Sequence, residues 1–353
     1  MMNKLLRIIK KLALYLFNVQ LLRIVFLVSV LVFFVGLNLQ KPRVLILHSY
    51  GTDFSWVNEI NIGIERILES KPYSLRYHYM DTKRNPNQEF KEKAGKIARR
   101  IISEWDPNVI IAVDDNAQSM AAQYFANKPK MNIVFTGLNA EPEEYGYDSA
   151  TNVTGILERI PFDFLKEVFL QVLPPDHRKI VHYSDDSETS DAIHAEIESF
   201  IWDPIELVEH RQIETFDEWK NAINNANEKA DFILITHYHT LRKSATENSV
   251  VPPEEVMKWT IENSSLPDIG CWGFHVQDGG MLAFGVSPYE EGEEAAKMAV
   301  DIIDKRVQPN QIPLKTSNLF VVYMRESRLK KFGIELPRIY SAFAHATNNY
   351  YYN

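Results

Sequence analysis

From Arg43 onward the chain alternates, twice over, between short apolar runs and segments whose apolar residues recur at helical spacing. Val44–His48, Leu75–Met80, Val109–Val113 and Ile133–Thr136 read as strands. Between them Val57, Ile60, Ile64, Ile67 and Leu68 share one helical face. Phe90, Ala94, Ile97 and Ile101 share another, and residues 116–126 supply a third helix. This β-α-β-α-β-α-β order predicts a parallel sheet covered by helices.

The series then repeats. Val153–Leu157 leads into a helix with Leu165, Val168, Phe169 and Val172 on one face. Lys179–Tyr183, Glu206–His210, Phe232–Thr236 and Ile269–Phe274 read as strands, with helices between them. Pro253 suits the first turn of the helix that begins there. Met281–Val286 reads as a further strand, 290–306 as a helix with Ala295, Met298, Ala299, Ile302 and Ile303 buried, and Leu319–Tyr323 as the closing strand. The polar, tyrosine-rich tail from Arg338 reads as poorly ordered. The length of 353 residues leaves room for two such α/β domains.

The segment before Arg43 differs. Lys4, Arg7, Lys10, Lys11 and Arg23 precede or interrupt an apolar stretch, and no acidic residue occurs before Asp53. Ile24–Leu37 carries no charge. The apolar residues before Arg23 extend it towards the ~20 residues that a membrane span needs. A signal peptide is the competing reading, but Val35, Leu37 and Asn38 do not supply the small residues that cleavage requires. An uncleaved signal anchor over residues 1–40 is expected, with its basic side cytoplasmic and the remainder extracytoplasmic. The single cysteine, Cys271, rules out an intrachain disulfide and a cysteine-based zinc site. The net charge of −9 argues against a nucleic-acid partner, which would need a basic face.

Five stretches carry a resemblance. They are VLILHSYGTDFSWVNEINIGIERIL (44–68), VIIAVDDNA (109–117), VTGI (153–156), GCWGFHVQDGGMLAFGVSPYEEGEEAAKMAVDII (270–303) and the end, Val321–Pro337. In order and spacing the chain resembles the substrate-binding proteins of ABC transporters with the type I periplasmic-binding-protein fold. It also resembles the related sensor domains of bacterial membrane signalling proteins. The resemblance implies two Rossmann-like lobes with parallel sheets, joined by a three-crossing hinge. Lobe 1 is then expected over 41–154 plus 281–308, lobe 2 over 155–280 plus 309–337, and a tail over 338–353. Sensor relatives continue into an output domain and this sequence does not. That favours a transporter component, with a membrane-anchored sensor subunit as the alternative and a membrane-tethered hydrolase or transferase as a lesser one.

Ligands of open α/β sheets bind beyond the carboxyl ends of the strands. Ser49, Tyr50 and Trp56 follow the first strand, and Asp114, Asp115 and Asn116 the third. Tyr183, Ser184, His237 and Tyr238 hold the corresponding places in lobe 2, with Trp272 near the crossing. These residues are the expected small-molecule contacts. One of the paired aspartates is expected to cap the helix that follows and the other to reach the ligand. Asp185, Phe274, Asp278 and Arg159 lie near the same places. His237 and His239 would share a strand face, half a metal site with no third ligand in view. No catalytic motif, cofactor or metal is expected. An amino acid, a nucleobase-like ring or a sugar all fit a site of rings and carboxylates.

Overall fold

The structure is a computed structural model that describes residues 2–174 and 176–353. The chain divides into two compact units, 2–42 with 72–74, and 43–71 with 75–353. The first unit is dominated by one helix, α1 (Met2–Leu39). Within it Phe17–Gly36 is long and apolar enough to cross a membrane, a test that a signal sequence also passes.

The second unit holds two sheets. Its first series is β1 (Arg43–His48), α2 (Ser55–Leu68), β2 (Ser74–Tyr79), α3 (Gln88–Trp105), β3 (Val109–Val113), α4 (Asp115–Met120), β4 (Asn132–Leu138) and β5 (Val153–Leu157). The second is α5 (Phe162–Val172), β6 (Lys179–Asp185), α6 (Glu188–Ser199), β7 (Glu206–Ile213), α7 (Phe216–Lys229) and β8 (Phe232–Ile235). A small hairpin follows, β9 (Arg242–Ser244) and β10 (Glu247–Val250). Then come α8 (Pro253–Asn263), β11 (Asp268–Gly270), α9 (Gly273–Gln277) and β12 (Leu282–Val286). The chain ends with α10 (Pro288–Asp304), β13 (Lys315–Thr316), β14 (Phe320–Arg325), α11 (Glu326–Phe332), α12 (Arg338–Ala346) and β15 (Tyr350–Tyr351).

One sheet has the order β13-β5-β4-β3-β1-β2, the other β15-β14-β12-β11-β8-β6-β7. β1, β3, β4 and β5 run parallel, as do β7, β6, β8, β11 and β12. β14 pairs antiparallel with β12, and β15 runs parallel to β14 at the sheet edge. The central strands β1 and β3 are buried along nearly their whole length, which is why their sequences are continuous apolar runs.

The chain crosses between the lobes at 158–161, at Ser287 and at 317–319. The crossings are stitched together: Ser317 N donates to Leu157 O at 3.0 Å and Ser287 N to Leu319 O at 3.0 Å. α10 packs on α2 at a very close approach. A Cβ added to Gly63 would lie 2.2 Å from Tyr289 O, and one on Gly292 would lie 2.1 Å from Ile60 O. The two backbones meet there only because both residues are glycine.

Four expectations about boundaries need correction. The first crossing falls after β5, so the lobe boundary lies at 158–161 rather than 154. Residues 282–286, expected in lobe 1, form a strand of the second sheet. All five are buried between β11 and β14, and the chain leaves only at Pro288, where α10 starts. Within 309–337, expected in lobe 2, β13 pairs with β5 of the first sheet. The tail expected to be disordered is α12 and β15. Tyr340 packs its ring 5.2 Å from Phe284, Ala344 is buried one turn on, and Tyr350 pairs with Met324 at the sheet edge. In addition, residues 273–277 are helical, so the strand expected to reach Phe274 ends at Gly270.

Candidate functional site

The parallel strands of both sheets end towards the same cleft. From lobe 1 come Tyr50, Phe54 and Trp56 after β1, Lys83 after β2, Asp114 after β3, Asn139 after β4 and Glu158 after β5. From lobe 2 come Thr189 on α6, His237 and His239 after β8, and Trp272 and Phe274 after β11. The lobes touch through hydrogen bonds and rings. Tyr50 Oη lies 3.0 Å from Thr189 Oγ1. Trp272 Nε1 donates to Glu158 Oε1 at 2.6 Å. The Phe54 ring centre is 5.0 Å from that of His239 and 5.5 Å from that of Phe274.

An inner chamber of about 10 Å³, room for roughly one water, lies among Trp56, Asp114, Asn139, Glu158, His237 and Trp272. Tyr50, Phe54, Lys83 and Phe274 line it and also line an outer cavity of about 640 Å³ between the lobes. That volume is in the range of small-molecule sites.

Lys83 is the buried cation of the cleft. Its ammonium sits 4.6 Å from the Tyr50 ring centre and 5.4 Å from that of Phe54. Burial lowers its pKa, against the opposing fields of Asp185, Asp114, Glu158 and Asp115. Among the described residues no carboxylate reaches ion-pair distance of its Nζ. Asp185 is pushed up by burial, but Lys83 and the hydroxyls of Ser187 and Ser190 outweigh that and hold it low.

Asp114 has a backbone conformation that side-chain-bearing residues rarely adopt, φ 64° and ψ 169°. The turn aims its carboxylate into the cleft. Oδ1 accepts from Trp56 Nε1 at 2.9 Å, and Oδ2 is buried without a hydrogen-bond partner. Burial raises the pKa of Asp114 well above the usual range, and Lys83 works against the rise. Glu158 is likewise raised by burial and by the neighbouring carboxylate of Glu291.

The structure separates the expected contacts. Tyr50, Trp56, Asp114, His237 and Trp272 come together in the cleft, His237 with its ring centre 4.4 Å from Trp272. Asn116 is buried at the rim of a small cavity shared with Lys83 and Thr189, its Oδ1 unpartnered. Ser184 is wholly buried and lines none of these cavities.

Four residues expected at the cleft belong to the interior of their own lobes. Ser49 Oγ donates to Val113 O at 2.7 Å and accepts from Ala117 N at 2.8 Å. It caps α4 from the adjacent strand, so neither aspartate does. Asp115 accepts from Ala140 N at 3.0 Å, Tyr145 Oη at 3.1 Å and Asn139 Nδ2 at 3.4 Å. Burial still pushes its pKa to about 6. Tyr183 donates to Ala222 O, and Tyr238 to Asp278 Oδ2 at 2.7 Å, both rings near Trp219. His237 and His239 line the cavities and Tyr238 does not, although its ring stacks on that of His239 at 4.6 Å.

Sequence reasoning missed Phe54, Lys83, Asn139, Glu158 and Thr189. Lys83, Asn139 and Glu158 were findable, because each lies just past a strand end, as Tyr50 does. Arg159 donates to the carbonyls of Leu138, Asn139 and Glu158 and pairs with Glu141 and Glu196, so it braces the hinge.

Two α/β lobes, three hinge crossings and an interlobe cleft at the strand ends define a solute-binding protein of the type I periplasmic fold. The chain belongs to the ABC transporter substrate binding protein family, whose sequence profile matches residues 58–347. Among solved structures it is similar to a conserved domain protein from Vibrio cholerae (16% identity, TM-score 0.66, covering 86% of this chain and 98% of that one). It is similar to an ABC domain from Streptococcus pneumoniae in complex with L-Trp (12%, 0.66, 86% and 98%). A ligand-free, open substrate-binding protein with adhesive properties from Clostridium difficile is a third (18%, 0.58, 88% and 99%). At these identities the likeness is one of fold. No curated protein matches the sequence significantly.

Proposed function

We propose that the chain is an extracytoplasmic solute-binding protein, held at the membrane by the Phe17–Gly36 helix. Its lobes close on an amino acid with an aromatic side chain and present it to an ABC permease. One observation carries the ligand class: a buried ammonium without an ion-pair partner, an unpartnered carboxylate oxygen and stacked rings all face one cleft. Lys83 Nζ, which lines both the chamber and the outer cavity, suits an α-carboxylate, and Asp114 Oδ2 suits an α-ammonium where the chamber widens around a ligand. The parallel rings of Trp272 and Phe274, 5.8 Å apart, with Phe54 opposite, suit an aromatic side chain. The L-Trp complex of the pneumococcal relative supports the same class.

Closure follows from differential affinity. A ligand that touches both lobes binds the closed form better than the open one and shifts the population towards it. The family is one of ligand binders, which supports a recognition role for these groups.

Isothermal titration of the detergent-solubilised full chain with L-tryptophan, L-phenylalanine and L-tyrosine tests this. At least one should bind. Indole-3-propionate, which lacks the amine, should bind about tenfold or more weakly than tryptophan. Binding of D-ribose with no response to any of the three amino acids would overturn the ligand class.

A further inference from the structure

Lobe 2 carries a second cluster, of residues that line none of the cleft cavities: His182 on β6, His194 on α6 and His210 on β7. His182 and His210 are register partners on adjacent parallel strands, so their side chains stand on one face of the sheet. α6 covers that face and brings His194 onto it. The ring centres of His194 and His210 are 3.5 Å apart, and those of His182 and His210 4.8 Å.

We propose that these three histidines form a site for a late first-row divalent metal ion of the zinc class. One ring nitrogen from each lies within 4.8 Å of the other two. Three points so spaced fit a circle of radius about 2.8 Å, against a Zn–N bond of about 2.0–2.1 Å. Inward shifts of about 0.7 Å per nitrogen, within reach of small ring rotations, complete the contact. Each ring also keeps one buried nitrogen without a hydrogen-bond partner: His182 Nδ1, His194 Nδ1 and His210 Nε2.

Two further features suit metal rather than mere packing. His182 Nε2 lies 2.9 Å from Thr236 Oγ1. A proton on Nε2, donated to that hydroxyl, leaves the Nδ1 lone pair free, which is the usual outer-shell arrangement of a metal-binding histidine. Burial and the neighbouring rings hold His182 well below its ordinary pKa, and burial lowers His210 to about 4. Ligation requires the neutral imidazole, the form that burial favours at His182 and His210. Three imidazoles with no thiolate and one position left for water suit zinc, nickel, copper or cobalt over magnesium or calcium. The ion would pin α6 to the sheet. α6 also carries Thr189, which meets Tyr50 of the other lobe.

The test is zinc binding by the chelator-treated, detergent-solubilised full chain, followed by equilibrium dialysis and by melting temperature. One zinc per chain should bind and raise the melting temperature. His194→Gln and His210→Gln should each weaken zinc binding at least tenfold while leaving the melting temperature of the metal-free protein nearly unchanged, since both rings are partly exposed. X-ray absorption at the zinc edge of the wild-type protein should count three imidazole nitrogens, whatever the variants do. Undiminished binding in both variants, no saturable binding in the wild type, or fewer than three imidazoles at the ion would each overturn the site.

Discussion

The Trp272–Glu158 hydrogen bond joins the two lobes, and two substitutions on it should move the protein in opposite directions. Both residues are nearly inaccessible, 3% and 2% exposed. Trp272→Phe keeps most of the ring's packing and deletes the donor that approaches Glu158 Oε1 to 2.6 Å. In the open form water replaces that donor, so the loss falls on the closed form alone. Burial favours the neutral form of Glu158 in the closed state, and a hydrogen bond between neutral groups is worth about 0.5–1.5 kcal/mol, which is about a 2- to 12-fold fall in the closed-to-open ratio. A protein closed about 90% of the time would then be closed about 40–80% of the time. Glu158→Gln does the reverse. Its amide oxygen still accepts from Trp272, and the burial that raises the pKa of Glu158 no longer disfavours a charge, so closure should gain. The readout is the distance between spin labels on cysteines introduced at Lys96 of α3 and Asn221 of α7, both exposed. Cys271 is wholly buried and stays out of the labelling. An unchanged distance distribution in Trp272→Phe, or a shift of both variants in the same direction, would refute the reasoning.

Three further outcomes are expected. Asp114→Asn keeps the acceptor for Trp56 but removes the charge offered to an ammonium, so affinity for L-tryptophan should fall about 10- to 150-fold by calorimetry. Gly292→Ala should cost about 1–3 kcal/mol in urea denaturation, because the new methyl would meet the Ile60 carbonyl at 2.1 Å; a loss below about 0.5 kcal/mol would contradict the close crossing of α2 and α10. Burial raises Glu291 from 4.5 to about 7, against the hydrogen bonds from Gly137 N and Thr136 Oγ1. Between those values the folded state holds a proton that the unfolded state has lost, so this group's contribution to stability declines as pH rises, by about 3 kcal/mol in all. Glu291→Gln should therefore gain on the wild type between pH 4.5 and 7.5, and a constant difference across that range would contradict the assignment.

The fold was legible because its strands are short, β-branched and buried on both faces. Val109–Val113 is a strand for reasons contained in those five residues and their flanks. What a strand pairs with is not contained in it. Leu282–Val286 looks the same whether it joins the first sheet or the second, and its place depends on β11 and β14, which the linear sequence does not align. His237, Tyr238 and His239 are three rings in a row past the end of β8, and the sequence does not say which of them meet the other lobe. Lys83 was overlooked because a lysine past a strand end ordinarily points to solvent, and only the facing lobe buries it. His182, His194 and His210 stand on three separate elements with no motif spacing, so nothing short of the packed lobe brings them together.

The crossing of α10 over α2 also bears on how the chain reaches its folded state. Lobe 1 is not complete when its first five strands have been made. The glycine that seats against Gly63 arrives more than two hundred positions later, after nearly all of lobe 2, and lobe 2 in turn waits for β14 to cover β12. Contacts so distant along the chain form late and slowly. A nascent chain of this protein therefore exposes two unfinished cores until almost its last tenth has been synthesised. That delay suits the proposed extracytoplasmic role, in which the polypeptide passes through a narrow translocation channel before it folds.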